Sequence, residues 1–299
     1  MELNHRIRFS KIFCPIDPAH ECDAALRYAI TLATMFEAEL HLCHCFEKEC
    51  AEGDELCLLR NRELEEAVLR NLRTAAPSEL KWSATFVNGT PRDALAREAR
   101  RVGADLLVIQ TRARGIPAVF LGSTAESLCH LAGCPVLVIR DAEREWVGQT
   151  VNEAALARVT VAFDFTRDGE RALAYGLSLA QEFEARLDVL HVLPKSKLDN
   201  VPGYVESDSP ANLLERETIG RIRQAVPPEA DDWCDLHPVI RFGNPAEKIV
   251  EYAEANKVEL LVLGVRGIHN LKEALFGSTV DKVLPKVHCP VLVARPLKE

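Results

Sequence analysis

The sequence predicts an α/β protein of two tandem domains, residues 1–145 and 156–299, each an open parallel five-stranded sheet with helices on both faces. Three observations carry this. The chain repeats itself: Gly122-Ser123-Thr124 and Gly277-Ser278-Thr279 match, as do Cys134-Pro135-Val136-Leu137-Val138 and Cys289-Pro290-Val291-Leu292-Val293, both at one offset (277 − 122 and 289 − 134 are each 155). Strand-like and helix-like patterns alternate through each copy. The strand candidates are unbroken apolar runs such as Leu260-Leu261-Val262-Leu263, because a strand covered on both faces shows no alternation.

In the first copy, residues 7–17 read as a strand and 21–36 as a helix with apolar residues at three-to-four spacing. Residues 39–46 form the second strand, and 55–74 a charged amphipathic helix with Leu58, Leu59, Leu64, Val68 and Leu72 facing inward. The third strand, 81–88, leads to a helix that Pro91 opens in its first turn. Residues 105–110, 123–131 and 135–140 supply a strand, a helix and a last strand. The polar stretch 141–156 reads as the linker. The second copy repeats the order: strand 158–164, helix 168–183, strand 186–193, helix 209–226, strand 233–242, helix 245–256, strand 259–265, helix 278–286 and strand 290–295. Residues 194–208, with two prolines and a glycine, form a candidate mobile loop.

Composition bounds the function. The 299 residues are 47% hydrophobic and 27% charged, as in an ordinary globular protein. A net charge of −9 argues against a general affinity for nucleic acid or anionic membrane. The sequence shows neither a long apolar run nor a charged-then-apolar leader, so the expected location is cytoplasmic. The ten cysteines include no Cys-x-x-Cys pair, sit mostly in apolar patterns and are expected as reduced thiols.

The chemistry concentrates in the second copy. Gly264 and Gly267 follow a buried strand at its carboxyl end, where backbone without Cβ turns sharply and lets a ligand approach. Gly277-Ser278-Thr279 opens the next helix, whose N–H groups and dipole suit a phosphate. In an open parallel sheet the ligand crevice lies beyond the carboxyl ends of the strands, where the winding reverses. Asp164, at the end of the first strand, would flank that crevice and accept from a ribose hydroxyl or a base amine; its alternative role is a cap on the next helix. Arg266 adds a fork-shaped donor.

The spacing Gly264-x2-Gly267-x9-Gly277-Ser278-Thr279 resembles the nucleotide-binding signature of the universal stress protein family. Val161-Ala162-Phe163-Asp164, Leu190-His191-Val192 and Cys289-Pro290-Val291-Leu292-Val293 resemble that family's first, second and last strands, and the likeness covers nearly the whole chain twice. The resemblance implies an adenine nucleotide alpha hydrolase-like fold with strand order 3-2-1-4-5. It implies ATP, or AMP or ADP, with or without Mg2+, between strands one and four. It also implies that Asp164 and Val192 contact the ribose and adenine, that Gly264 and Gly267 line the phosphates, and that Gly277, Ser278 and Thr279 hold them. Arg266 stands at a position the family does not fix.

The first copy departs from this pattern. Gln110 and Ala113 replace the glycines, while Asp17, Gly122, Ser123 and Thr124 persist, which predicts a degenerate site without ATP. His41, Cys43, His44, Cys45 and Cys50 suggest a metal site. But His41, Cys43 and Cys45 share one strand face and His44 the other, so four cannot converge without a partner elsewhere and buried strand residues are the expectation. No nucleophile–base arrangement and no Gly-x4-Gly-Lys-Ser/Thr loop emerge, so no catalytic residue is assigned and hydrolysis, where it occurs, is slow. The expectation is a nucleotide-binding regulatory protein of the stress response, a homodimer or an intramolecular pseudo-dimer paired through its last strands. A slow ATP hydrolase and a nucleotide-free scaffold stand as alternatives.

Overall fold

The computed structural model describes residues 7–17, 24–46, 55–75, 77–111, 123–140, 144–148, 154–200, 209–265 and 279–295. The chain divides into two compact units. The first comprises Arg8–Asp141 and Glu145–Ala155; the second comprises Leu156–Arg295, joined by Ile7 and Arg144.

The first unit runs β1 (Lys11–Pro15), α1 (Ala24–Met35), β2 (Glu39–Phe46), α2 (Glu55–Ala75), β3 (Trp82–Asn88), α3 (Pro91–Val102), β4 (Leu106–Thr111), α4 (Ser123–Leu131) and β5 (Val136–Arg140). Its strands pair in parallel in the order β3-β2-β1-β4-β5. The second unit runs β6 (Arg158–Ala162), α5 (Arg167–Phe183), β7 (Arg186–Leu193), α6 (Pro210–Ala225), β8 (Leu236–Phe242), α7 (Pro245–Ala255), β9 (Leu260–Gly264), α8 (Val280–Val283) and β10 (Val291–Ala294). Its order, β8-β7-β6-β9-β10, is that of the first unit with each strand replaced by its counterpart, and all pairs are again parallel. Two of these strands are buried without alternation: β10 is buried throughout and β9 up to Gly264.

Several elements differ from their sequence reading. The covered stripe of α2 runs through Cys57, Asn61 and Leu64, at four-then-three spacing. Leu58 and Leu59 lie beside that stripe and are exposed by 51% and 55%, not inward. Val68 and Leu72 lie outside the described side chains. Cys57, half-buried on this surface helix, is disulfide-bonded rather than reduced, whereas Cys14, Cys43, Cys45, Cys129, Cys134, Cys234 and Cys289 are reduced thiols. The helix read at 278–286 has only the short α-helical core α8, continued by turns to Val287. A 3-10 turn, Pro228–Asp232, precedes β8, which therefore starts at Leu236 rather than at 233. Residues 195–200 of the expected loop form another 3-10 turn, and 201–208 lie outside the described residues. In the polar stretch read as a linker, Trp146 is buried. Its ring meets Tyr28 edge-on at 4.7 Å, and the Trp146 backbone N–H donates to the Tyr28 hydroxyl at 3.0 Å. Among the described residues no helix is long and apolar enough to cross a membrane.

The two units solve one packing problem differently. In the second, Gly176 of α5 lies so close to β6 that a Cβ there would collide with Val161 Cγ2. The corresponding pair in the first unit (offset 161 − 14 = 176 − 29 = 147) is Cys14 and Ala29, both fully buried. The smaller strand residue accommodates the larger helix residue. Gly176→Ala is therefore expected to destabilise the second unit by about 1–3 kcal/mol through overpacking. Val161→Cys added to it should restore a substantial part, as a double-mutant cycle in urea unfolding would show. Strict additivity of the two changes would contradict this account.

Candidate functional site

Three neighbouring strands of the second unit, β7, β6 and β9, end at one crevice. At the end of β6, Asp164 closes a tight turn: its Oδ1 accepts from the Thr166 backbone N–H at 3.0 Å and from the Thr166 hydroxyl at 2.5 Å. Thr166 is itself the N-cap of α5, its Oγ1 accepting from the Gly169 N–H at 3.1 Å. Asp164 thus shapes the entry to the helix without being its cap. Its side of the residue is exposed, and among the described residues Oδ2 has no hydrogen-bond partner. Phe165, between them, adopts φ 61°, a conformation rare for a bulky side chain.

His191 on β7 lies 2.7 Å through Nδ1 from the Phe163 carbonyl. A carbonyl only accepts, so Nδ1 carries the proton and a neutral ring leaves Nε2 as an acceptor. Burial favours that neutral form, holding the pKa below the ordinary histidine value. The first unit repeats the contact, with His44 Nδ1 2.9 Å from the Ile16 carbonyl. His191 and His44 therefore pin the last residue before each aspartate.

A cavity of about 460 Å³ occupies the crevice, within the range usual for small-molecule sites. Asp164, Val192, Gly264 and Thr279, singled out in four separate stretches of sequence, all line it. Arg266, Gly267, Gly277 and Ser278 lie outside the described residues. Pro245 and Ile249 of α7 and Gly169 of α5 also line it, and the sequence reading missed them. Pro245 was legible only as a helix starter, and nothing in a pattern of helical spacing says that this helix end overhangs a crevice.

Gly264 has a more immediate steric role than ligand access. A Cβ there would lie 2.6 Å from the Asp168 carbonyl carbon and 3.0 Å from the Gly169 nitrogen, which are main-chain atoms that cannot swing aside. In the first unit the matching residue is Gln110, whose Oε1 accepts from the Ala25 N–H of α1 at 3.3 Å. There a side chain stands where the second unit brings helix backbone against strand. Asp17 ends that unit's first strand half-buried, Ser123 and Thr124 begin α4, and Gly122 lies outside the described residues. Among the described residues no group of three or more His, Cys, Asp or Glu side chains is placed to hold a metal ion.

Residues 8–140 and 156–295 each match the universal stress protein family. The chain belongs to that family. It is a tandem member, and the strand order in each unit accords with the match. Universal stress protein MJ0531 of Methanocaldococcus jannaschii is 30% identical over 144 residues, 48% of this chain and 84% of its own. The Universal stress protein E homolog of Haemophilus influenzae is 22% identical over 324 residues, covering 98% of this chain and 99% of its own. Among solved structures, a universal stress protein from Archaeoglobus fulgidus superposes with a TM-score of 0.66 at 18% identity, over 95% of this chain and 98% of that one. At that identity the likeness bears on the fold.

The steric role of Gly264 makes a prediction independent of any ligand. Gly264→Ala should lower stability by about 1–3 kcal/mol in thermal or urea unfolding with no nucleotide added. Unchanged stability would return this glycine to a purely ligand-facing role.

Proposed function

We propose that the second unit binds an adenine nucleotide, ATP foremost, and that this universal stress protein acts through the bound state rather than through rapid turnover. The observation that carries the reading is the cavity at the ends of β7, β6 and β9 and the order of chemistry across it. On the β7 side, Leu190, Val192, Pro245 and Ile249 form an apolar wall suited to a planar base. In the middle, the unpartnered Oδ2 of Asp164 suits a sugar hydroxyl. On the β9 side the wall is Gly264, with Thr279 beyond, whose side chain makes no capping hydrogen bond. Two strand spacings of about 4.8 Å separate the β7 and β9 edges, roughly 10 Å in all, a span suited to a base at one end and phosphates at the other.

The apolar wall and the Asp164 carboxylate fit the base and sugar, and any Mg2+ would arrive on the nucleotide's own phosphates. Bound ATP would bring its phosphate charge to the β9 end of the crevice. The chain's residues would seat the base against Val192, fix the ribose on Asp164, and keep the α5 turn in register through His191 and Thr166. Gln110 supports a single site per chain, because its side chain fills the corresponding approach in the first unit.

The test is to denature freshly purified protein, identify any released nucleotide by mass, and titrate the refilled protein by calorimetry. About one adenine nucleotide per chain is expected. Asp164→Ala should weaken binding by roughly 10- to 100-fold, the value of a hydrogen bond to a charged group. No nucleotide released and none bound on adding ATP with magnesium would overturn the reading.

A further inference from the structure

Beside the crevice lies a cation that the nucleotide reading leaves unused. Arg221, exposed on α6, holds its guanidinium carbon 4.0 Å above the ring of Phe165. Phe165 in turn packs 4.6 Å from Phe163 and 4.8 Å from His191, centroid to centroid, and both of those line the cavity. The cation–π contact leaves the N–H donors of this exposed guanidinium open to a further acceptor. Among the described residues Arg221 makes no hydrogen bond and no ion pair, and it is not paired with Asp164. Phe165 reaches this shelf position at φ 61°, strain of the kind that clusters at ligand sites.

We propose that Arg221, shelved on Phe165, forms a subsite for a second phosphate carried on the ribose of the bound adenine nucleotide. The inference rests on the nucleotide reading above and extends it to a ligand class, adenosine 2′- or 3′-phosphates bearing a 5′-phosphate. The sides of the sheet decide against the 5′-chain as occupant. That chain would lead from β6 toward Gly264 at the end of β9 and Thr279 before α8, whereas α6 packs against β8, on the opposite side of β6. A phosphate reaching Arg221 must therefore leave the sugar near Asp164. One ribose oxygen would then donate to the carboxylate, and the other would carry the phosphate to the guanidinium fork, which matches oxyanions by paired N–H donors.

Calorimetric titration of the full chain with AMP, adenosine 2′,5′-bisphosphate and adenosine 3′,5′-bisphosphate tests this. One bisphosphate should bind about tenfold more tightly than AMP, with a gain that shrinks as salt rises. Arg221→Ala should abolish the gain and leave AMP affinity intact, which also shows that the variant is folded; Arg221→Lys should keep only part of it. Bisphosphates binding no better than AMP, or a gain that survives Arg221→Ala, would overturn the subsite while leaving the nucleotide site standing. Absence of AMP and ATP binding altogether would remove both. Coenzyme A as a further probe separates two sources of the same chemistry. Affinity equal to the 3′,5′-bisphosphate marks the adenosine end of a larger cofactor, and weaker affinity marks a free bisphosphate, each with the subsite retained.

Discussion

The crevice of the second unit depends on how closely the first turn of α5 approaches the carboxyl end of β9. At that crossing Gly264 meets the main chain of Asp168 and Gly169, and Gly169 has its own constraint, since a Cβ there would lie 2.5 Å from Asp164 Oδ1. Two residues without side chains thus let strand end, helix start and catalogue of turn hydrogen bonds share one small volume. The Asp164–Thr166 turn, the Thr166 cap and the His191 contact to Phe163 are arranged around that approach. A close-packed interior resists partial adjustment, so a change at the crossing would be felt along the whole wall.

The first unit is the same topology with that constraint relaxed. Gln110 reaches α1 with a side-chain amide where Gly264 admits main chain, and satisfies a helix N–H there. Filling the space with a hydrogen-bonded side chain gives a packed strand end but leaves less room for a ligand against the strand. Yet His44 keeps the contact that His191 makes, and the parallel register of β1 with β2 is that of β6 with β7. The scaffold has been retained while the crossing changed, which is how duplicated domains diverge when function resides in a site and not in the fold.

Much of this was legible in the sequence because it is periodic or repeated. The apolar runs at Leu260–Gly264 and Val291–Ala294, the duplicated glycine and proline landmarks, and the alternation of strand and helix fix topology through local rules. Strand and helix ends were less legible, because the last turns are set by tertiary contacts. The face of α2 was misjudged at Leu58 and Leu59, since several leucines compete for one stripe and only the register against the sheet decides among them. In the site, Asp164 and Gly264 were visible as types suited to a crevice. The overhang of Pro245 and Ile249, and the steric reason for Gly264, depend on distances between elements far apart in sequence.

The least legible feature is Phe165, because a bulky residue at positive φ contradicts its own local preference. A conformation of this kind costs about 1–3 kcal/mol and persists only where its surroundings over-determine it. Here the Asp164–Thr166 turn fixes the backbone on both sides, while Phe163, His191 and Arg221 hold the ring. The corresponding position in the first copy (165 − 147 = 18) is Pro18, a residue type whose ring disfavours positive φ. Gln110 for Gly264 and Pro18 for Phe165 are two substitutions on different segments, 92 positions apart (110 − 18). Gly264 lines the cavity and Phe165 packs on two residues that line it, Phe163 and His191, so both differences fall at one corner: a bare strand end, and a strained aromatic shelf. Strain kept in one copy and lost in the other, at the same corner as the lost glycine, argues that the corner is retained for what it holds.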